Sequence, residues 1–438
     1  MKTSQYNIFF EDDGRYFLYN TLTTGFCELE EGVYRKIAAN SLMDIQEEII
    51  LGLFDGGYLV DDHTDEVSQY KAFYDSTRWG MRARTLLIGL VPTYGCNLSC
   101  PYCLQGEEKS PKKMSAEQLL AVSAFVENRV LKSQQEVPID SVHVELYGGE
   151  PLLCKDHIIA FCNFIDELSK RLHFKTKFTM TSNFVLLDDD IIELIGRHHI
   201  IVQVTVDGTR EQHDSRRIQH DGRGTYAQII DNLRKMNEHG LRDCLTIRIN
   251  VDRENIDGVR ETLKELRKYT DSIYFSYTEL FSGKNDHYKK SCIKRECHTM
   301  ITTKILNESL RSYGMAVPKL FGKRGPCTLN ECNKFFIDCY MDVYNCELLI
   351  KHRDLRIGVL NSHGAIRYDS QYYSFLNHTP LLFKKCRECK MLPNCAGGCP
   401  VKGRLQGLTT ETCTPFCELS ERNLVEYLKD YIRNRKDF

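Results

Sequence analysis

The sequence predicts an α/β protein: a partial barrel of six parallel strands, preceded by a small α+β unit and followed by a cysteine-rich region. Three observations carry this. Between about residue 84 and residue 280, short apolar runs alternate with helix-length amphipathic segments, the pattern of βαβ units. Ahead of them, two apolar runs flank a polar turn, which is a hairpin signal. Past about residue 320 the alternation stops, and cysteine, glycine and short loops take over. The 438 residues exceed one ordinary core. The expected domains are 1–78, 84–305 and 318–438.

In chain order, Tyr6–Phe10 and Tyr16–Tyr19 flank Glu11-Asp12-Asp13-Gly14, and short helical patterns follow over Glu30–Ala38 and Asp44–Phe54. Gly56-Gly57 then leads into Tyr58-Leu59-Val60, so the whole is compatible with a winged-helix module. The six barrel strands are expected at Thr85–Val91, Val142–Tyr147, Lys177–Thr181, Ile200–Val206, Leu245–Val251 and Ile273–Tyr277. Ala116–Val130, His157–Arg171 and Tyr226–His239 read as helices between them. Six crossovers predict an open or partial barrel, with function at the carboxyl ends of its strands. A helix-like tail runs from Leu419 to Arg433.

Composition narrows the class. Hydrophobic residues make up 42% and charged residues 27%, an ordinary globular balance. Lys plus Arg is 58 against 60 Asp plus Glu, a net charge of -2, so no long-range field favours nucleic acid or an anionic membrane. No apolar run approaches the roughly 20 residues of a spanning helix, and the amino terminus lacks a signal peptide's apolar core. A cytoplasmic enzyme is expected. The 19 cysteines then point to metal, because disulfides are disfavoured there. They are also uneven: only Cys27 precedes residue 90, whereas ten lie from Cys327 to Cys417.

At the end of the first barrel strand stands Cys96-Asn97-Leu98-Ser99-Cys100-Pro101-Tyr102-Cys103. Three thiolates on one tight loop can hold three irons of a cubane cluster and leave the fourth open. A zinc site would want four closed ligands or a histidine among them. Spacing, strand-end position and Tyr102 together resemble the signature of the radical S-adenosylmethionine (SAM) superfamily. Further segments support the resemblance. Tyr147-Gly148-Gly149-Glu150-Pro151 looks like that family's GGEP element, whose glycines would allow backbone approach to the methionyl amine. Ser182 and Asn183 end the third strand, where the family often places ribose contacts. Thr205-Val206-Asp207-Gly208, with His213, Asp214 and Arg217, is similar to the S-x-D-G…H-D-x-x-R segment of peptide-modifying members. Tyr102, Gly148, Gly149, Glu150, Ser182, Asn183, Thr205 and Arg217 are thereby the implied cofactor contacts. The implied chemistry is chelation of SAM on the open iron, reductive cleavage, and hydrogen abstraction by a 5′-deoxyadenosyl radical.

Cys386-x2-Cys389-x5-Cys395-x3-Cys399 forms a second dense pattern, preceded by Cys327, Cys332 and Cys346 and followed by Cys413 and Cys417. By spacing alone, the four central cysteines also fit a zinc ribbon. After the upstream loop, they resemble the SPASM extension of maturases. That resemblance implies a first auxiliary 4Fe-4S cluster on Cys327, Cys332, Cys346 and Cys399. A second would sit on Cys386, Cys389, Cys395 and Cys417, giving three clusters in all. One departure is Met341, where members often carry glycine. Of the eight cysteines left over, most read as small buried hydrophobes.

Two enzyme readings follow. One is a maturase of ribosomally made peptides, installing a thioether or carbon–carbon cross-link. Its precursor's leader would bind as an added strand on the edge supplied by the Tyr6–Tyr19 hairpin. A reductant such as flavodoxin or ferredoxin would be a second partner. The other is an anaerobic sulfatase-maturating enzyme making formylglycine. Relatives of that kind carry Asp after the third auxiliary ligand as a base, and this chain has Glu347, the candidate catalytic residue. A non-enzymatic electron carrier or iron–sulfur scaffold is the third class, and the SAM-binding segments argue against it.

Overall fold

The structure is a computed structural model that describes all residues except 104, 107–108, 279–287, 320, 406–419 and 435–438. The chain forms two compact units. Met1–Gly80, Pro318–Cys327 and His378–Phe438 make the first, and Met81–Val317 with Thr328–Asn377 makes the second. The cysteine-rich region expected over 318–438 is thus shared between the two units.

In the first unit, β1 (Lys2–Thr3) pairs with β5 (Leu59–Val60). A separate antiparallel sheet has the order β2 (Asn7–Asp12), β3 (Arg15–Asn20), β4 (Phe26–Leu29). The predicted hairpin forms because Asp13 and Gly14 both take positive φ, +50° and +73°, the geometry of a tight two-residue turn. The hairpin's second strand, β3, lies in the middle of this sheet, so the edges are β2 and β4. Alternation sorts the side chains. Leu18 packs with Ile37, Leu53, Tyr58 and Leu59 on one side. Ile8, Phe10, Phe17 and Tyr19 face the other way, toward Leu424, Leu428 and Ile432 of the terminal helix Glu421–Arg433. Their spacing of four puts those three residues on one helix face. Arg433 Nε donates to Asp12 at 2.9 Å and fixes the helix end.

The second unit is built on a ten-stranded sheet. Its strands are β6 (Thr85–Val91), β7 (Ser141–Leu146), β8 (Lys175–Ser182), β9 (Ile201–Thr205), β10 (Leu245–Val251) and β11 (Ile273–Tyr277). Beyond them come β12 (Lys334–Asp338), β13 (Asp342–Tyr344), β14 (Gly358–Leu360) and β15 (Ile366–Tyr368). The order is β11-β10-β9-β8-β7-β6-β12-β13-β14-β15. The six expected strands are present and parallel, and β12 adds a seventh parallel strand beside β6.

Helices Ala116–Ser133, Lys155–Leu172 and Tyr226–Glu238 fall between strands as expected. Ser115 starts the first of them with a capping box to Gln118. Along β7, Val142, Val144 and Leu146 are fully buried, while His143 and Glu145 are half-buried on the opposite face. The sheet therefore has one apolar face and one polar face. Each buried aliphatic of this kind contributes about 1.5–3 kcal/mol. Among the described residues no helix is long and apolar enough to cross a membrane.

Candidate functional site

The Cys96–Cys103 loop follows β6 and is pinned by the segment around residue 218. Ser99 N–H donates to Ile218 O at 2.8 Å, and Leu98 bridges Gln219. His220 ties the loop twice, with Nε2 2.8 Å from Cys96 O and Nδ1 2.8 Å from Ser99 Oγ. A carbonyl only accepts, so Nε2 carries a proton. Lys109 Nζ donates to Leu98 O at 2.5 Å. Burial pushes the Cys96 and Cys100 thiols up, while Lys109 beside Cys96 and Arg217 beside Cys100 pull them back. Cys96 Sγ accepts from Leu98 N–H at 3.4 Å and from Asn183 Nδ2 at 3.7 Å.

The Gly148-Gly149-Glu150 turn at the end of β7 lies against the same loop. Gly149 N–H donates to Thr93 O at 3.0 Å and Glu150 N–H to Gly95 O at 2.8 Å. A Cβ at Gly149 would stand 2.1 Å from Gly95 O. Gly148, at φ +152°, would put one 2.6 Å from Thr93 O. The glycines thus let one backbone approach another. Glu150 is fully buried and accepts from Ser182 Oγ at 2.8 Å, Asn183 N at 2.7 Å and Leu152 N at 3.0 Å. Burial raises its pKa and these donors oppose the rise. Its carboxylate joins the ends of β7 and β8, with Ser182 and Asn183 as its partners.

Thr205, the last residue of β9, and Arg217 beyond it are both buried. Arg217 Nη1 donates to Tyr102 Oη at 2.9 Å and lies 3.9 Å from Asp207 Oδ2, and the Tyr102 hydroxyl also bonds Asp207. Asp207 is completely buried and accepts from Asn250 N at 2.8 Å. Burial forces the His213 pKa well below its usual range, so the ring is neutral. Its Nδ1 accepts from Asp207 N at 3.2 Å, its Nε2 meets Thr225 Oγ1 at 3.0 Å, and Thr225 donates to Arg217 O at 2.8 Å. The bonding of Asp207 to Tyr102 and Arg217 was not assigned from the sequence, where the T-x-D-G run was the signal for Asp207.

The polar face of the sheet carries Glu145 on β7, which has no hydrogen bond among the described residues. Burial, with Glu347 nearby, pushes its carboxyl up to about 7. Glu347 is partly exposed and sits 3.6 Å from the buried Lys334 Nζ. Lys334 also donates to Thr328 Oγ1 at 2.8 Å. The predicted base is therefore ion-paired, whereas Glu145 is not.

Of the remaining expected ligands, Cys386, Cys389, Cys395, Cys399 and Cys327 belong to the first unit and Cys332 and Cys346 to the second. Cys413 and Cys417 lie outside the described residues. Met341, the departure from glycine, adopts φ +66°. Asp338 Oδ1 steadies that turn by accepting from Tyr340 N at 2.8 Å and Asp342 N at 2.9 Å. Among the described residues, no three His, Cys, Asp or Glu side chains converge as a single-ion site requires. A cubane cluster places its thiolates on separate irons and does not need that convergence.

The residues present fit a cluster with a polar ligand beside it. Asn97 Nδ2, Gln105 Oε1 and Arg217 Nε are buried without hydrogen-bond partners among the described residues. SAM carries a carboxylate, an amine and ribose hydroxyls that could satisfy both the donors and the acceptor.

Residues 90–266 match the Radical SAM superfamily. The chain is 23% identical to mycofactocin maturase MftC of Mycolicibacterium smegmatis over 343 residues, covering 74% of this chain and 80% of that one. It is 20% identical to a cysteine-type anaerobic sulfatase-maturating enzyme of Clostridium novyi over 325 residues, covering 69% and 84%. Among solved structures, native anSMEcpe with bound AdoMet and Cp18Cys peptide superposes with a TM-score of 0.62 at 18% identity, covering 80% of this chain and 97% of that one. Streptococcus suis SuiB bound to S-adenosylmethionine gives 0.50 at 16%, covering 94% and 100%. At these identities the two structures establish the fold.

Proposed function

Residues 90–266 form a radical SAM domain, and from that premise we propose that the chain is a maturase of a ribosomally made peptide, into which it installs a thioether or carbon–carbon cross-link. One observation carries the reading. The Cys96–Cys103 loop, the Gly148–Glu150 turn and the Asp207–Arg217 segment are locked together, yet leave Asn97 Nδ2, Gln105 Oε1 and Arg217 Nε unspent. Cys96, Cys100 and Cys103 would hold a 4Fe-4S cluster that, when bound, supplies the electron for reductive cleavage of SAM and so a hydrogen-abstracting radical.

The chain's own groups bind and orient. Arg217 and Asn97 present donors to the ligand's carboxylate or ribose, and Gln105 presents an acceptor. Asn183 donates to Asn97 Oδ1 at 2.7 Å and is held with Ser182 by Glu150, and Thr205 ends β9. Cys386, Cys389 and Cys395, with Cys417, would carry an auxiliary cluster; the set Cys327, Cys332, Cys346 and Cys399 rests on the resemblance alone.

The relative named a mycofactocin maturase supports a peptide substrate. So does the amino-terminal sheet, in which β2 and β4 are the outer strands to which a leader strand would add. A cytoplasmic setting with a flavodoxin or ferredoxin as electron donor completes the proposal. The test is anaerobic: reconstituted, reduced protein is given SAM and the peptide encoded by the short reading frame beside the gene. Release of 5′-deoxyadenosine with a 2-dalton loss from the peptide supports the reading, and absence of 5′-deoxyadenosine refutes it.

The fold of anSMEcpe and the Clostridium novyi relative favour a second reading, formylglycine formation on a sulfatase. Conversion of a cysteine-bearing sulfatase peptide, with none of the neighbouring peptide, would select it.

A further inference from the structure

We propose that Arg248 is a specificity-determining residue: its guanidinium, on the polar face of the barrel sheet, takes the carboxylate of an aspartate or glutamate in the peptide segment that is modified. The inference rests on the maturase reading above and names the kind of segment that the site accepts.

The strands point a second set of side chains away from the apolar core. Along β10, Ile247 and Ile249 are fully buried, while Arg248 between them is half-buried on the other face. The same alternation leaves Glu145 on β7, Thr179 and Thr181 on β8, and Gln203 on β9 half-buried. Parallel register puts Arg248 beside Thr205 on one side and Tyr274 on the other. Thr205 ends β9, so Arg248 stands level with that strand end.

Two strands separate β10 from β7, yet Arg248 acts on the Tyr147 hydroxyl, opposing the rise that burial gives it. Cys103 and Glu145 act on the same hydroxyl. Three strand spacings would be about 14 Å on a flat sheet. The polar face therefore curls, with Tyr147 near both Arg248 and the third cysteine of the loop.

Arg248 carries a charge without a counterion. Its Nη2 donates to Ser276 Oγ at 3.0 Å, which aims the group. Its Nε is buried and has no hydrogen-bond partner among the described residues. The two most buried arginines of this unit are paired, Arg216 with Asp252 at 2.7 Å and Arg217 with Asp207 at 3.9 Å. The carboxylates of the polar face are committed elsewhere, Glu347 beside Lys334 at 3.6 Å and Asp338 to Tyr94. A half-buried guanidinium lacking a counter-charge is costly, and a carboxylate accepting from its free N–H groups offsets that cost. A peptide carbonyl would supply an acceptor and no charge. The rival source is the carboxylate of SAM, but Asn97 Nδ2 on the loop and Arg217 Nε beside Cys100 are donors closer to the thiols.

The test uses reconstituted, reduced holoprotein with SAM and two peptides. One is encoded beside the gene, and the other has every Asp and Glu of its modified segment changed to Asn and Gln. For the parent, Arg248→Gln and Arg248→Lys, kcat/KM is read from 5′-deoxyadenosine release and from the mass change of the peptide. In the parent, the amide peptide should fall about tenfold below the acidic one, the worth of one charged hydrogen bond. Arg248→Gln should lose about tenfold on the acidic peptide and nothing further on the amide peptide. Arg248→Lys should recover part of that loss, and the Kd for SAM without peptide should not move. A parent that treats both peptides alike, or a modified segment that holds no Asp or Glu, overturns the inference and leaves the maturase reading standing. So do equal losses by Arg248→Gln on both peptides; if the Kd for SAM rises with them, the group serves the cofactor's carboxylate instead. Absence of 5′-deoxyadenosine from the parent with either peptide refutes the maturase reading and the inference with it.

Discussion

Two thiol-rich segments of this chain lie in surroundings of opposite chemistry. Around Cys96, Cys100 and Cys103 the neighbours are polar or charged: Asn183, Lys109, Arg217 and His220. Around Cys386, Cys389 and Cys395 they are aromatic and aliphatic: Tyr6, Tyr19, Tyr70, Tyr74 and Leu392. A pocket with unspent donors and acceptors suits a ligand that enters and leaves. A hydrocarbon and phenol wall suits a group that stays. Cysteine spacing singles out both sets, and the packing around them differs in kind.

The largest effect should come from the first segment. Replacing Cys96, Cys100 and Cys103 by Ala should abolish 5′-deoxyadenosine formation and remove about four irons while sparing about eight; loss of all iron would break the distinction between the sites. Next comes Asp207→Asn, which leaves the buried Arg217 without its charge partner. It should cost about 3–5 kcal/mol in denaturant unfolding of the apoprotein and weaken SAM binding. A variant as stable as the parent would mean the triangle with Tyr102 does not support the loop.

The polar face of the barrel sheet supplies a pH dependence. With its carboxyl raised to about 7 by burial, Glu145 stays protonated in the folded chain where the unfolded chain has already lost the proton. Stability should therefore fall as pH rises from the ordinary carboxylate range to about 7, then level off. Glu145→Gln should remove that slope and gain about 2 kcal/mol at pH 8, discounting for solvent access. A parallel slope in both proteins would place the titration elsewhere. The smallest net effect is at Met341: Met341→Gly should return about 1 kcal/mol of left-handed strain but lose about 1.5–3 kcal/mol of side-chain burial, read as a slightly lowered thermal midpoint.

Much of this was legible in the sequence. Thr85–Val91, Leu245–Val251 and Ile273–Tyr277 coincide with β6, β10 and β11 because each is an unbroken β-prone run bounded by turn residues. Strand β12 was hidden: Lys334–Asp338 sits inside a cysteine-rich stretch, and only its pairing with β6 reveals it. Strand β4 and the helix Glu66–Ser76 were also passed over, the latter because its apolar periodicity is weak and its buried residues are Glu66, Tyr70 and Tyr74. Motif spacing singled out Gly149 and Arg217 as cofactor contacts, and in the structure they lie beside the loop. It could not disclose that Gly149 faces backbone, that Glu150 spends its carboxylate on Ser182 and Asn183, or that Asp207 holds Tyr102. Those are facts of tertiary distance, which periodicity does not encode.

The central claim is that the Cys96–Cys103 loop keeps one iron free for a ligand set beside Arg217. It is tested most directly by electron paramagnetic resonance of the anaerobically reduced holoprotein with and without SAM. A changed cluster spectrum on addition, lost when Arg217 is replaced by Ala, is the predicted result; superimposable spectra from a protein with a full complement of iron would contradict it.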